Sequence, residues 1–170
     1  MHSNPFTFCP HCSGETISEV SEGKLLCSQC EFILYFNPSP CIALVTFSPE
    51  DKLLLTRRAK NPGQGKLGLP GGFCEHNETF EQTLKREVRE ELSVSLSDIH
   101  YLTSKFDTYE YKGITYSTLC VIFTAKLATY ELDSISDELD DILYYNLRDV
   151  PLEELAFASQ IELIKELQNK

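Results

Sequence analysis

A mixed α/β sandwich preceded by a small cysteine-rich module is the fold this sequence predicts, on three observations. Apolar runs of strand length occur before, between and after two helical patterns. A Gly/Pro-rich loop, Asn61–Gly72, leads directly into an acidic amphipathic segment. Two Cys-x-x-Cys pairs crowd the start of the chain, ahead of a proline-punctuated boundary at Asn37–Pro40. The boundary predicts two domains, residues 1–37 and residues 38–170.

The bulk composition narrows the class. A chain of 170 residues with 42% apolar content can bury a real core, so disorder is not expected. No apolar run reaches the ~20 residues of a membrane span, and the start, MHSNPFTFCP, lacks a positive end followed by an apolar stretch. The expectation is a soluble cytoplasmic protein with no membrane contact. The net charge of −11 argues against a broad nucleic-acid surface, which needs clustered Lys and Arg. A small anionic partner is compatible with such a chain where a bound divalent cation reverses the local sign.

Of the seven cysteines, Cys9, Cys12, Cys27 and Cys30 form the two pairs, with fourteen residues between Cys12 and Cys27. Each Cys-x-x-Cys hairpin presents two sulfurs to one ion, and two hairpins close a tetrahedron; the spacing predicts a four-cysteine zinc ribbon with a structural role. His11 lies inside a knuckle and is read as a bystander. Residues 1–40 hold one Lys, no Arg and four Glu, which disfavours phosphate binding by this module. Cys41, Cys74 and Cys120 are scattered, and Cys41 and Cys120 lie in apolar runs as small buried hydrophobes do.

After the boundary, Cys41–Phe47 suits a buried strand, Ser48–Lys52 is turn chemistry, and Leu53–Arg58 reads as a second strand. Strand-like segments at about Tyr101–Tyr111 and Thr115–Leu127 are joined by a turn at Lys112-Gly113. An acidic loop, Asp133–Asp141, precedes a further strand at Ile142–Leu147. The tail Ser159–Gln168 has helical spacing at Ile161, Ile164 and Leu167, with Ser159 and Glu162 spaced as a capping box.

The central helix carries the functional signal. Thr79 and Gln82 form a capping-box pattern, and Phe80, Leu84, Val88 and Leu92 share one core-facing stripe. Glu87, Glu90 and Glu91 fall about a quarter turn from that stripe, at the edge of the core rather than in it. Like charges three and four residues apart destabilise a helix, so a solvated ion-paired face explains the cluster poorly. A site for Mg²⁺ or Mn²⁺, which select oxygen-rich carboxylate sets, explains it better, with main-chain carbonyls of Gly71 and Gly72 as further hard ligands. Arg86, beside Glu90, is placed to steer a carboxylate.

These residues carry a specific resemblance. Gly72, then five residues, Glu78, then seven residues, and Arg86-Glu87-Val88-Arg89-Glu90-Glu91-Leu92-Ser93-Val94 resemble the Nudix box, G-x5-E-x7-R-E-U-x-E-E-x-G-U with U apolar. Every required position matches except Ser93, which stands where glycine is expected. The upstream segments LLLTRR and GKLGLPGGFCE are also similar to Nudix sequences, with Leu67 in place of a common tryptophan. The resemblance implies a Nudix-type α/β/α sandwich with a mixed sheet, and hydrolysis of a nucleoside diphosphate linked to another group with Mg²⁺ or Mn²⁺. It further implies that Glu87, Glu90 and Glu91 hold the metals with a Gly71 or Gly72 carbonyl, that Glu87 is one choice of base, that Arg86 orients Glu87, and that Glu78 binds a further metal or stabilises the loop. Arg57 or Arg58 is expected to contact phosphate. In some relatives a late-loop acid supplies the base, and Asp137, Glu138, Asp140 and Asp141 are the candidates, Glu138 first. Phe106, Tyr109, Tyr111 and Tyr116 are candidates to stack on a base.

A zinc ribbon ahead of such a domain resembles the NADH pyrophosphatase group, but the Ser/Gln/Pro/Trp-rich motif of that group is absent and TSKFDTYEYKG occupies its place. The sequence therefore favours ADP-ribose or a nucleotide sugar as substrate, with NADH or another dinucleotide, or a non-catalytic nucleotide sensor, as alternatives. The expected partner is a small-molecule nucleotide, without nucleic acid, and a homodimer is compatible with the family.

Overall fold

The computed structural model describes residues 6–21, 23–132 and 136–169. The chain forms two compact units, Met1–Pro38 and Ser39–Lys170, and each is described by itself.

In the first unit, β1 (Ile17–Ser21), β2 (Lys24–Cys27) and β3 (Ile33–Tyr35) make an antiparallel sheet in the order β1-β2-β3. Its core is minute: Cys9, Ile17, Leu25 and Cys27 are buried, with Phe32 and Leu34 packed against them. A core this small does not stabilise a fold unaided, and such modules depend on a staple.

The second unit is an α/β/α sandwich. Strand β4 (Ser39–Val45) pairs parallel with β8 (Ile114–Leu127), which pairs antiparallel with β7 (Leu96–Tyr111). The other sheet has the order β6-β5-β9, from β6 (Leu67–Gly68), β5 (Lys52–Arg58) and β9 (Leu139–Asn146). Alternation along each strand feeds two cores. Ile42, Leu44, Leu54, Val121 and Phe123 pack with Leu84, Val88 and Leu92 of α1 (Phe80–Leu92). Their neighbours Ala43, Val45, Leu53, Leu55 and Ile122 pack with Leu163 and Ile164 of α2 (Ala158–Gln168). Runs such as Leu53-Leu54-Leu55 are continuous in apolar character because both faces of the sheet are covered.

The helix ends explain the boundaries. Thr79 and Gln82 form the expected capping box: the Gln82 N–H donates to Thr79 Oγ1, and the Thr79 N–H donates to Gln82 Oε1 at 2.8 Å. At the other end Ser93 adopts the left-handed conformation, φ 56° and ψ 29°, and its N–H donates to Arg89 O. Serine thus performs the C-cap turn that glycine favours. Lys112 (φ 52°) and Gly113 (φ 76°) make the tight hairpin between β7 and β8.

Four sequence expectations need correction. Phe80 is 37% exposed and stands outside the core stripe, because the first turn of α1 runs past the end of the packed cluster. Strand β7 starts at Leu96, ahead of the expected Tyr101, since bulges at Ser97/His100 and Tyr101/Thr103 break the alternation that marks a strand. Strand β9 starts at Leu139, inside the expected acidic loop Asp133–Asp141, of which residues 133–135 lie outside the described residues. The Ser159/Glu162 box does not form: α2 begins one residue earlier, the Ser159 N–H donates to Asp107 Oδ2 at 2.9 Å, and Glu162 pairs with Lys105.

Ser93→Gly removes the cost of a left-handed Cβ, about 1 kcal/mol. The melting temperature is expected to rise by roughly 2–4 °C in a thermal scan, with secondary structure unchanged.

Candidate active site

The site begins with an approach of backbone to carboxylates. The segment after β6 runs along β4: the Leu44 N–H donates to Pro70 O, the Ile42 N–H to Gly72 O, and the Cys74 N–H to Pro40 O. Gly71, between two of these contacts, turns its N–H the other way, onto Glu91 Oε2 at 2.9 Å. Its carbonyl has no hydrogen-bond partner among the described residues. Glycine is required at Gly71, and at Gly72 a side chain would displace Glu87. Gly71 has φ 142°, and a Cβ there would strike Ile42 O; a Cβ on Gly72 would strike the Glu87 carboxylate.

Arg86 fixes the other side. Its Nε and Nη2 bind Glu78 at 2.8 and 3.0 Å, its Nη1 binds Glu87 at 2.8 Å and Glu90 at 3.1 Å, and Nη2 also reaches Phe73 O at 3.0 Å. One guanidinium thus ties the loop to the helix through three carboxylates. Glu78 is held further by the Thr83 hydroxyl and the Glu75 N–H, and the Arg86 contact keeps its carboxyl down at about 2. The like-charge crowding on α1 is offset locally by this one cation.

Burial then separates the three glutamates. Glu91 is only 7% exposed, and desolvation pushes its carboxyl up to about 8, opposed by the Gly71 N–H. Glu91 is more deeply buried than its place beside the apolar stripe suggested, because the Gly71 loop covers it. Burial also raises Glu87, against the pull of Arg86. Glu90 remains 60% exposed at its side chain and does not border the cavity.

Glu87 and Glu91 open with Gly71 and Gly72 onto a cavity of about 440 Å³. Arg58 and Glu138 also line it. Arg58 donates from Nε to Pro62 O at 2.7 Å and lies over the Phe157 ring at 5.2 Å; its terminal nitrogens have no hydrogen-bond partner among the described residues. Arg57, on the opposite side of β5, is committed to Gly65 O and Glu154 and does not reach the cavity. Asp137 binds Lys60 of the cavity wall at 2.9 Å without lining the cavity itself, whereas Glu138, 3.6 Å from Lys60, does line it. Asp140 and Asp141 are exposed on β9. Among the aromatic candidates Tyr109 borders the cavity, stacked on Tyr116; Phe106 and Tyr111 do not.

Asp107, Phe157 and Gln160 carried no sequence signal and Ser159 only that of a helix cap, yet they gather on the cavity from β7 and the start of α2. Cys41, Cys74 and Cys120 line the cavity as well; Cys41 and Cys120 are in register on β4 and β8 and share a thiol hydrogen bond that holds Cys41 below its usual value.

In the first unit the four ribbon sulfurs lie within 4.8 Å of one another. Cys9 and Cys30 Sγ are 3.8 Å apart and Cys12 and Cys27 Sγ are 3.7 Å apart. A disulfide requires about 2.05 Å, whereas the edge of a tetrahedron with Zn–S of about 2.3 Å is about 3.8 Å. The cluster fits a zinc ion. The Thr16 hydroxyl, 3.2 Å from Cys27 Sγ, holds that thiol below its usual value and favours the thiolate that a metal needs.

The raised Glu91 carboxyl has a signed consequence. The folded metal-free chain binds the Glu91 proton more tightly than the unfolded chain does, so this group's contribution is full below about 4.5 and is lost as pH rises towards about 8. Glu91→Gln keeps an oxygen for the Gly71 N–H without the charge. In the presence of a chelator for Mg²⁺ its melting temperature should exceed that of the unaltered chain by roughly 3–6 °C at alkaline pH, and the two should converge near pH 5.

Comparison with known proteins agrees with this geometry. The NUDIX domain model matches residues 38–167. The chain is similar to the NAD-capped RNA hydrolase NudC of Photobacterium profundum, 28% identical over 145 residues that are 85% of this chain and 52% of that protein. To the NudC of Salmonella typhi it is 30% identical over 85% of this chain and 53% of that protein. The chain thus spans about half the length of these relatives. Among solved structures, a NUDIX hydrolase from Nitrosomonas europaea is 28% identical with a TM-score of 0.67, covering 95% of this chain and 92% of that one. The NUDIX domain of Shewanella oneidensis NrtR, in a complex with ADP ribose, is 27% identical with a TM-score of 0.63, covering 79% and 89%. With Gly72, Arg86, Glu87 and Glu91 gathered on one cavity and the family model covering most of its length, the chain belongs to the NUDIX family and carries a four-cysteine cluster near its N-terminus.

Proposed function

We propose that this chain cleaves the diphosphate of a dinucleotide of the NADH type, ahead of ADP-ribose or a nucleotide sugar. The NudC relatives, aligned over 85% of the chain, support this order against the preference that the missing Trp-containing motif suggested. The observation that carries the reading is the pair of partly buried Glu87 and buried Glu91, held by Arg86 and Gly71 on the wall of a cavity of about 440 Å³.

Glu87, Glu91 and the unpartnered Gly71 carbonyl are the donor set for Mg²⁺ or Mn²⁺, with Glu90 at its outer edge; the Gly72 carbonyl is already engaged by Ile42. The ion, when bound, neutralises the diphosphate and lowers the pKa of water. Arg58 supplies two free donors to a phosphate oxygen. Glu87, raised by burial, and Glu138, facing the cavity from the other side, are the two carboxylates that can accept the water proton. Arg86 keeps Glu87 in a single orientation, and Glu78 keeps Arg86. All of these groups come from one copy of the chain. In the ribbon, Cys9, Cys12, Cys27 and Cys30 hold structural Zn²⁺.

A net charge of −11 favours a small nucleotide over an RNA end. The NrtR complex keeps a second reading in view, binding of ADP-ribose without cleavage.

The test is a hydrolysis panel with Mg²⁺ over NADH, ADP-ribose, a nucleotide sugar and an NAD-capped oligoribonucleotide, with products identified. Turnover of NADH should be highest, and Glu87→Gln and Glu91→Gln should each lower it by about 10²–10⁴-fold while the fold is retained. Binding of ADP-ribose with no cleavage of any member of the panel would replace the hydrolase with the sensor. Cys12→Ser or Cys27→Ser should remove zinc and lower the ribbon's melting temperature, because structural zinc contributes folding energy; unchanged zinc content would end the ribbon assignment.

A further inference from the structure

One polar group that lines the cavity is left unused by the glutamate chemistry. Gln160 lies in the first turn of α2 and is 8% exposed. Its Oε1 accepts the Leu69 N–H at 3.3 Å, which fixes the orientation of the amide, since only the oxygen can accept. Nε2 therefore faces away from Leu69, and it has no hydrogen-bond partner among the described residues. No buried side-chain nitrogen or oxygen among them is sealed off without one, so Nε2 retains some accessible surface, and Gln160 lines the cavity. A nine-tenths buried amide with two idle donors is rare in a folded protein and suits a ligand that completes it.

Its neighbours suit a flat ring. Phe157 and Tyr109 meet edge to face with centroids 6.3 Å apart, and Arg58 covers Phe157. The first turn of α2 is anchored by the Ser159 N–H on Asp107, so these groups are held in place before any ligand arrives. Leu69, the partner of Gln160, is two residues from Gly71, about 7 Å along an extended chain. That is the distance over which a ribose separates a phosphate from the ring it bears.

We infer that Gln160 is a specificity-determining residue, donating from Nε2 to a carbonyl oxygen or ring nitrogen of the heteroaromatic group at the far end of a nucleoside diphosphate substrate, against the apolar wall of Phe157 and Tyr109. The inference rests on the diphosphate lying at the Gly71 end. It selects acceptors over donors, because Leu69 occupies the only oxygen of the side chain. A distal group that presents an N–H at this point meets two N–H donors and is rejected.

The test uses the full chain with Mg²⁺ and three monophosphate probes in titration calorimetry: ribose 5-phosphate, which has no ring, nicotinamide mononucleotide, which offers a carboxamide oxygen, and AMP, which offers ring nitrogens. In the unaltered chain at least one ring-bearing probe should bind about tenfold or more tighter than ribose 5-phosphate. Gln160→Glu, which retains an oxygen for Leu69, and Gln160→Met, which retains the volume, should each reduce that advantage by about tenfold while ribose 5-phosphate binding changes by less than about twofold. Whichever ring-bearing probe loses affinity identifies the acceptor. The inference is overturned if neither ring-bearing probe outbinds ribose 5-phosphate, or if the advantage survives in whichever variants retain the fold. Two substitutions of opposite polarity guard against the loss of one to misfolding. The hydrolysis panel is run alongside: no cleavage of any member, with ring-dependent binding intact, removes the hydrolase reading and leaves the role of Gln160 standing.

Discussion

The approach of the Gly71-Gly72 backbone to the carboxylates of α1 is the constraint from which the remainder of the site follows. A side chain at either glycine would collide with Ile42 O or with Glu87. The approach buries Glu91 under a main-chain N–H, and it leaves the Gly71 carbonyl without a hydrogen-bond partner among the described residues. Both neighbouring carbonyls are spent on β4, so the register of the loop on the sheet decides which oxygen remains available. A hard cation is the ligand that this grouping of desolvated carboxylate and carbonyl oxygens suits.

Arg86 solves the accompanying electrostatic difficulty. Three carboxylates on neighbouring turns repel, and two are partly withdrawn from water. The guanidinium fork has enough donors to meet Glu78, Glu87, Glu90 and the Phe73 carbonyl together. A lysine ammonium has three donors and no fixed plane, so it could not hold these four partners in one arrangement. The same residue is thus both the stabiliser of the loop and the reason that Glu87 has one orientation.

What could be read in advance was what is local in the chain. The Thr79–Gln82 box, the turn at Lys112-Gly113, the Cys-x-x-Cys hairpins and the spacing of Glu87, Glu90 and Glu91 all depend on residues within about one turn or one hairpin of each other. The failures share a cause too. Ser159 and Glu162 have capping-box spacing, but Asp107 and Lys105, some fifty residues earlier, claim them first. Glu91 lies off the apolar stripe, yet a loop twenty residues upstream closes over it. Arg57 and Arg58 are indistinguishable by type, and only the alternation of β5 sends one to the cavity and the other to Glu154. Phe157 and Gln160 gave no sign, because an isolated aromatic and an isolated amide acquire meaning only from what stands opposite them in space.

The two cores on opposite sides of the sheets have a consequence for how such a protein can change. The carboxylate machinery hangs from α1 and its layer of Leu84, Val88 and Leu92. Gln160, on the wall of the same cavity, belongs to α2 and the separate layer of Leu163 and Ile164. Drift in one layer need not be felt in the other, since strand alternation keeps their side chains apart. A lineage built on this scaffold can therefore trade one leaving group for another by altering a short C-terminal helix, while the bond-breaking apparatus is inherited intact.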